Sequence, residues 1–333
     1  MSLCNLVFSD LFVADTAAAS WFKSTPDSMT ISPISPISPE CAAELEQLRR
    51  HLHEQADTPG FRVDWPERGG MRLRVERVAT TDAKAIFVCR RFKLPPGPLA
   101  SLGVPAAVGS KLMADDLKEG LVLFFGKAGA GKSTTAASFV MERLAAFGGV
   151  CWTIENPVEL ALEGRHGKGW CYQTEVKSDG GIGPAVRNLM RATPNIIFIG
   201  ELRDGDSVRE AIAAATSGHL VVATFHAADL QSGIARLARL AGDASAAGLA
   251  DALKVGVHLA LHNHVPGQKI GSTLLTEALP KGTGTPPRVL SVEPLWLTGQ
   301  NSEGVRSMVR DGEFHQLSSE VERQRRAFMM KLP

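Results

Sequence analysis

GLVLFFGKAGAGKSTT, residues 120–135, is the stretch on which the fold turns. LVLFF (121–125) is an unbroken apolar run, the pattern of a strand covered on both faces. It feeds directly into G-x-x-x-x-G-K-[ST] at Gly126, Gly131, Lys132 and Ser133. Gly126, Gly129 and Gly131 let the backbone bend so that its N–H groups converge on a β-phosphate, and the helix that follows adds its positive N-terminal end. Lys132 reaches the β- and γ-phosphates and the Ser133 hydroxyl ligates magnesium. The phosphate-binding set is therefore Gly126, Gly129, Ala130, Gly131, Lys132, Ser133 and Thr134, and the expected ligands are ATP and Mg2+. A fortuitous glycine-rich turn would lack the buried strand before it and the helix starter behind it.

Downstream, a helix (132–147) leads to a strand GVCWTIE (149–155), a helix near 184–192, a strand NIIFIG (195–200), a helix (206–216) and a strand HLVVATF (219–225). This alternation predicts an α/β domain with a mainly parallel sheet built from right-handed crossovers. Two amphipathic helices, about 302–310 and 315–330, close the chain. NIIFIGELRD (195–204) has the form of a Walker B segment, with Glu201 at the end of an apolar strand to order the magnesium shell. Gly200 stands where many P-loop enzymes keep a magnesium-binding Asp. TIENPVE (153–159) carries Glu155 and Glu159, and Pro157 favours a turn presenting both carboxylates to one cleft. His219 and His226 fall at the two ends of one strand, about 23 Å apart at ~3.3 Å per residue, too far to share an ion.

Upstream, residues 41–113 read as a smaller domain. CAAELEQLRRHLHEQ (41–55) spaces Leu45, Leu48 and Leu52 as one helical face. MRLRVERV (71–78) alternates, with Met71, Leu73 and Val75 inward and Arg72, Arg74 and Glu76 outward. AIFVCRRF (85–92) ends in Arg90 and Arg91. Residues 1–40 are expected to be an N-terminal extension, with the triplet Ile-Ser-Pro repeated over 31–39 as an extended linker or arm. Residues 114–333 form the second domain.

Over 333 residues, 36 Lys and Arg balance 35 Asp and Glu for a net charge of +1. That leaves no global basic field to gather nucleic acid, and only 6% of the residues are aromatic, so strong nucleic-acid binding is not expected. No apolar run is long enough to span a bilayer, and the start has no basic n-region, so neither a transmembrane segment nor a secretory signal is expected. Cys4, Cys41, Cys89, Cys151 and Cys171 form no CxxC pair and fit a reducing cytoplasm.

Taken together, P-loop, acidic box, hydrophobic-Gly-Glu and paired histidines resemble the secretion ATPase superfamily, the hexameric motors of type II and type IV secretion and of type IV pili. The resemblance covers roughly residues 60 to 325. The family's acidic box reads much like T-I-E-D-P-I-E, matched by Thr153, Glu155, Pro157 and Glu159. Its Walker B, P-D-I-I-L-x-G-E-x-R-D, is matched by Gly200, Glu201, Arg203 and Asp204, and its histidine box, T-G-H-x-x-x-x-T-x-H-T, by Gly218, His219, Thr224 and His226. Arg187 and Arg191 resemble the arginine helix before Walker B, and VRSMVRDGEFHQL (305–317) is similar to the C-terminal helices of the pilus-retraction branch. Asn156 and Asn195 stand where acids are usual and Thr193 replaces another, so the metal site is less negative than the family pattern. The four-cysteine zinc insert of the type II branch is absent from the sequence.

The resemblance implies a RecA-like ATPase domain preceded by a PAS-like α/β domain, assembled as a homo-hexamer with ATP at the subunit interfaces. It implies a cytoplasmic motor held at the inner membrane by platform or secretion-channel proteins. Glu159 would polarise the attacking water, with Glu155 beside it in the acidic box. His226 would sense the γ-phosphate and His219 would couple nucleotide state to motion. An arginine from outside the P-loop would act in trans, with Arg72, Arg74, Arg90 and Arg91 as candidates and Arg187, Arg191 and Arg203 serving the fold or an interface. Two other readings are a RecA-like nucleic-acid translocase, which DNA-stimulated turnover would reveal, and a nucleotide-binding regulatory subunit without turnover.

Overall fold

The computed structural model describes residues 2–6, 8–23, 34–55, 60–66, 70–81, 85–263, 274–275, 288–299 and 302–329. The chain groups into two compact units, Met1–Leu94 with Glu159–Ala161, and Pro95–Val158 with Leu162–Pro333.

In the first unit the elements run β1 (Asp10–Val13), β2 (Trp21–Lys23), β3 (Ile34–Pro36), α1 (Ala42–Glu54), β4 (Gly60–Trp65), β5 (Met71–Ala79) and β6 (Ala85–Arg91). They form one six-stranded antiparallel sheet in the order β3-β2-β1-β6-β5-β4. Leu45, Leu48 and Leu52 of α1 are buried with Leu11, Val13, Leu73, Val75, Phe87 and Cys89, each leucine contributing about 2 kcal/mol of apolar burial. The expected alternation of β5 holds, with Met71, Leu73 and Val75 buried.

The boundaries differ from those read off the sequence. Residues 1–40 are not simply a linker, because β1 pairs with β6 through Asp10↔Arg90 to Val13↔Phe87 and β2 pairs with β3. Within the Ile-Ser-Pro repeat, Ile34–Pro36 is β3, whereas 31–33 lie outside the described residues. The stretch 95–113 groups with the second unit, since Ser138 donates to the Gly97 carbonyl at 2.8 Å and Arg143 to those of Leu112 and Ala114 at 3.1 Å.

The second unit runs α2 (Ala106–Leu112), β7 (Gly120–Gly126), α3 (Lys132–Phe147), β8 (Gly149–Glu155), β9 (Gly164–His166), β10 (Gly169–Glu175), α4 (Ile182–Leu189), β11 (Ile196–Ile199), α5 (Gly205–Thr216), β12 (Leu220–His226), α6 (Leu230–Ala241), α7 (Asp243–Ala252), β13 (Leu253–Asn263), β14 (Leu274–Leu275), β15 (Arg288–Trp296), α8 (Ser302–Arg310) and α9 (Leu317–Met329). The sheet order is β14-β15-β13-β7-β12-β11-β8-β10-β9. From β13 to β10 every neighbouring pair is parallel, as the sequence rhythm requires. β7 and β11 are buried along their whole lengths. On one face of the sheet Leu121, Leu123 and Phe125 join Ile182, Val208, Ile234 and Leu249 of α4 to α7. On the other, Phe124 meets Phe139 of α3 with ring centroids 6.0 Å apart. Asp204 and Asp229 cap α5 and α6 by accepting from the Ser207 and Ser232 N–H groups at 2.8 and 2.7 Å. The parallel arrangement brings the carboxyl ends of β7, β12, β11 and β8 to one edge.

Candidate functional site

The loop after β7 is shaped by its glycines. Gly129 and Gly131 have φ of 75° and 89°, a region that L side chains rarely adopt. A Cβ on Gly126 would lie 2.5 Å from the Leu259 carbonyl oxygen, so only glycine lets β13 pass this close. α3 begins at Lys132 with Gly131 as its N-cap and no side-chain cap, which leaves its first N–H groups for an anion. Ala130 is buried, and the Lys132 ammonium donates to the Lys127 carbonyl at 3.0 Å. Ser133 and Thr134 follow in the first turn of α3, half-buried.

Two strands away, β11 ends at Ile199 and Gly200 and Glu201 follow it. Arg203 Nε donates to Glu201 at 2.6 Å, and its other end grips Asp179 at 3.0 and 3.1 Å. Asn156 Nδ2 also donates to Asp179, at 2.9 Å. The Asn156 and Arg203 hydrogen bonds hold the Asp179 carboxyl below its usual range. Asn156, an amide where an acid was expected, thus donates a bond that a carboxylate could not. Asn195 works locally, accepting from the Val150 N–H at 2.9 Å. Thr193 takes a left-handed φ of 48° as the chain turns into β11.

Gly200 has a packing reason. Glu155 is 6% exposed, held by Thr153 Oγ1 at 2.7 Å and Gln173 Nε2 at 3.0 Å. A Cβ at position 200 would lie 3.2 Å from its Cγ. The acidic box therefore divides: Glu155 lies against the end of β11, whereas Glu159 is exposed and groups with the first unit, its carbonyl accepting from the Lys93 N–H at 3.3 Å. His226 closes β12 in register with Gly126 and is exposed, and His219 precedes the strand, its Nδ1 3.0 Å from the Pro194 carbonyl oxygen.

The remaining arginines fall into two sets. Arg187 of α4 ties to Glu210 and Asp206 of α5 at 2.5 and 3.4 Å, and Arg191 is exposed just past α4. In the first unit Arg74 and Arg90 are register partners, so they share a sheet face with Arg72. Arg72 pairs with Asp64 at 2.7 Å, Arg74 with Glu76 at 3.4 Å and Arg90 with Asp10 at 2.8 Å. Arg91 turns to the other face, opposite Leu73, and donates to the Leu6 carbonyl at 3.1 Å.

Sequence reading missed β13 as part of the site. A cavity of about 370 Å³ lies between the crest of the glycine loop, Lys127–Ala130, and His258–His262 of β13. Its signal was faint, since His258 and His262 share no motif with the boxes above. Glu293 of β15 faces His258 at 3.7 Å, and that histidine's hydrogen bond holds its carboxyl below the usual range.

A P-loop on the strand beside β12, with an acidic strand end one place further, defines a RecA-like P-loop nucleotide-binding fold. The family model described as type II/IV secretion system protein matches residues 67–267, and the chain belongs to that family. It is 41% identical over 118 residues to the type IV pilus assembly ATPase TfpB of Acinetobacter baylyi, covering 35% of this chain and 19% of that one. It is 30% identical over 242 residues to the type IV pilus ATPase PilU of Pseudomonas aeruginosa, covering 69% of this chain and 59% of PilU. The chain thus spans 19% and 59% of the length of these two curated relatives, less than two thirds of either. The crystal structure of the pilus retraction motor PilT with bound ADP superposes with a TM-score of 0.68 at 25% identity, over 94% of this chain and 84% of that one. Among the described residues no helix is long and apolar enough to cross a membrane.

Proposed function

We propose that the protein is an ATP-hydrolysing motor that works as a homo-hexamer on a type IV pilus, type IV secretion or conjugation machine at the inner membrane. The observation that carries this is the convergence of the glycine loop, Glu201 and His226 at the carboxyl edge of one parallel sheet, in a chain of the secretion family. The loop from Gly126 to Thr134 cradles the β- and γ-phosphates, with Lys132 supplying the mobile cation. Glu159 polarises the attacking water, Glu155 braces the acidic box from beneath, and His226 senses the γ-phosphate while His219 couples that state to motion.

Magnesium fits the donors present. Ser133 in the first turn of α3 and Glu201 after β11 offer hard oxygens. Mg2+ takes one or two protein oxygens and completes its octahedron with water and phosphate. When bound, the ion offsets charge on the β- and γ-phosphate oxygens.

The shared face of Arg72, Arg74 and Arg90, in a first domain of PAS-like character, is the reading's source for the cation acting in trans. Arg91, on the opposite face, is the weakest of the four candidates. Platform or channel proteins hold the ring at the membrane from the cytoplasmic side. Turnover per subunit should rise with protein concentration until rings form. Mixing Lys132→Ala subunits with an Arg74→Ala or Arg90→Ala variant should restore part of the activity, because each supplies what the other lacks. Constant specific activity down to demonstrably monomeric protein, or no complementation, refutes the assembled motor.

A further inference from the structure

The six-stranded sheet of the first unit ends at β4, and among the described residues no strand pairs with its outer edge. The register of the sheet fixes which backbone groups that edge presents. Phe92 N–H donates to the Arg72 carbonyl at 3.0 Å, whereas Arg91 N–H donates the other way, to the Ser9 carbonyl before β1, at 3.1 Å. Bonding direction alternates along a strand. Arg72, Arg74 and Glu76 of β5 therefore bond toward β6, and Met71, Leu73 and Val75 bond toward β4. The partners of these three on β4 are Trp65, Val63 and Phe61. That leaves the N–H and C=O groups of Gly60, Arg62 and Asp64 pointing away from the sheet.

An open edge of this kind is a template for another strand. Charged side chains commonly blunt such an edge, and Arg62 and Asp64 are both exposed. Here, however, the two charges are opposite and stand symmetrically about Val63, in Phe61-Arg62-Val63-Asp64-Trp65. That order is complementary to itself read backwards. When a second copy of β4 lies antiparallel, its outward groups meet only if residues 60, 62 and 64 face one another. Arg62 opposite itself, or Asp64 opposite itself, sets like charges together and is destabilising. The register centred on Val63 instead places Arg62 opposite Asp64 of the second copy and Asp64 opposite its Arg62. Each of these pairs exchanges two backbone hydrogen bonds. On the other face Phe61 meets Trp65 of the second copy, in the closer non-hydrogen-bonded positions where aromatic pairs add stability. Phe61 and Trp65 already pack on the core that holds Leu45, Leu48 and Leu52.

We infer that β4 is a docking edge for a second copy of this chain, joined antiparallel about a two-fold axis through Val63. A two-fold contact uses the same patch on both copies, unlike the head-to-tail contacts that close a ring. It pairs two subunits, or two rings. The first unit alone carries it, and it does not depend on the nucleotide reading above.

The test exchanges the charges. Sedimentation velocity gives the particle mass of the wild type, Arg62→Asp, Asp64→Arg, the double variant Arg62→Asp/Asp64→Arg, and an equal mixture of the two single variants. Circular dichroism checks the fold of each. Each single variant sets like charges opposite and should halve the mass, from the pair to its unit. The double variant should regain the wild-type mass. The mixture should regain it too, because one variant then supplies only acids and the other only cations at the edge. Single variants at the wild-type mass, or a double variant or mixture that stays halved, overturn the edge pairing. Asp64→Arg also loses the 2.7 Å bond to Arg72; should it not fold, Arg62→Asp and Arg62→Pro decide. Proline removes an N–H that points away from its own sheet, so both variants should halve the mass, and the wild-type mass in either overturns the pairing.

Discussion

Replacing Gly200 by alanine probes the wedge between Walker B and the acidic box. The added methyl would sit 3.2 Å from Glu155 Cγ and 3.5 Å from its Cα and Cβ. The first of these is closer than ordinary carbon contact, and Glu155 cannot swing away without loosening its bonds to Thr153 and Gln173. Overpacking of this kind costs about 1–3 kcal/mol. Against it stands a gain of about 0.4–1 kcal/mol from restricting the unfolded chain, so the net loss should fall within about 0–2.6 kcal/mol, centred near 1.3 kcal/mol. At roughly 2–4 °C per kcal/mol for a domain of this size, the melting temperature should fall by about 4 °C. Gly304 is the internal control. It lies exposed in α8, and a methyl group added there would meet nothing within 4 Å, so Gly304→Ala should raise stability by about 0.5–1 kcal/mol. Circular-dichroism melts of both variants, with ATP turnover on each, make the comparison. If Gly200→Ala melts at or above the wild type and moves with Gly304→Ala, Glu155 is not held against β11 as described.

Glu159→Gln and Glu201→Gln should bind ATP but hydrolyse it at least about 100-fold more slowly, the lower range for a lost acid–base group. A crippled Glu155→Gln beside a harmless Glu159→Gln would reverse the roles within the box. Asp179 offers a pH signature. Its carboxyl is held low by the Asn156 and Arg203 hydrogen bonds, so its contribution to stability is present above the unfolded carboxylate range and is lost as pH falls through its depressed pKa. Asp179→Asn should therefore melt below the wild type at neutral pH, with the gap closing in strong acid. A gap of the same size at both pH values would show that the ion network with Arg203 is not its source.

Much of this was readable from residues alone because local chemistry dictated it. The covered strand before Gly126, the left-handed turns that need Gly129 and Gly131, and the strand–helix alternation from 120 to 226 are set by side chains within a few positions of one another. β1, β2 and β3 were not legible, since DLFV, WFK and ISP are too short to declare a period, and the three short strands join the larger sheet only through β1, whose partner β6 lies some 80 residues away. β13 hid for a related reason: its buried face of Val255, Val257 and Leu259 alternates with Gly256 and Ala260, which blur the contrast.

The sequence determined that a phosphate cradle exists and which acids accompany it, because motif spacing is covalent. Only the tertiary structure decided that Glu155 fills the space an Asp at 200 would need, and that Asn156 serves Asp179. It alone also raised His262 beside the glycine loop. Those facts depend on which strands lie side by side, and strand order comes from burying two faces of one sheet at once, a constraint that no stretch of neighbouring residues contains.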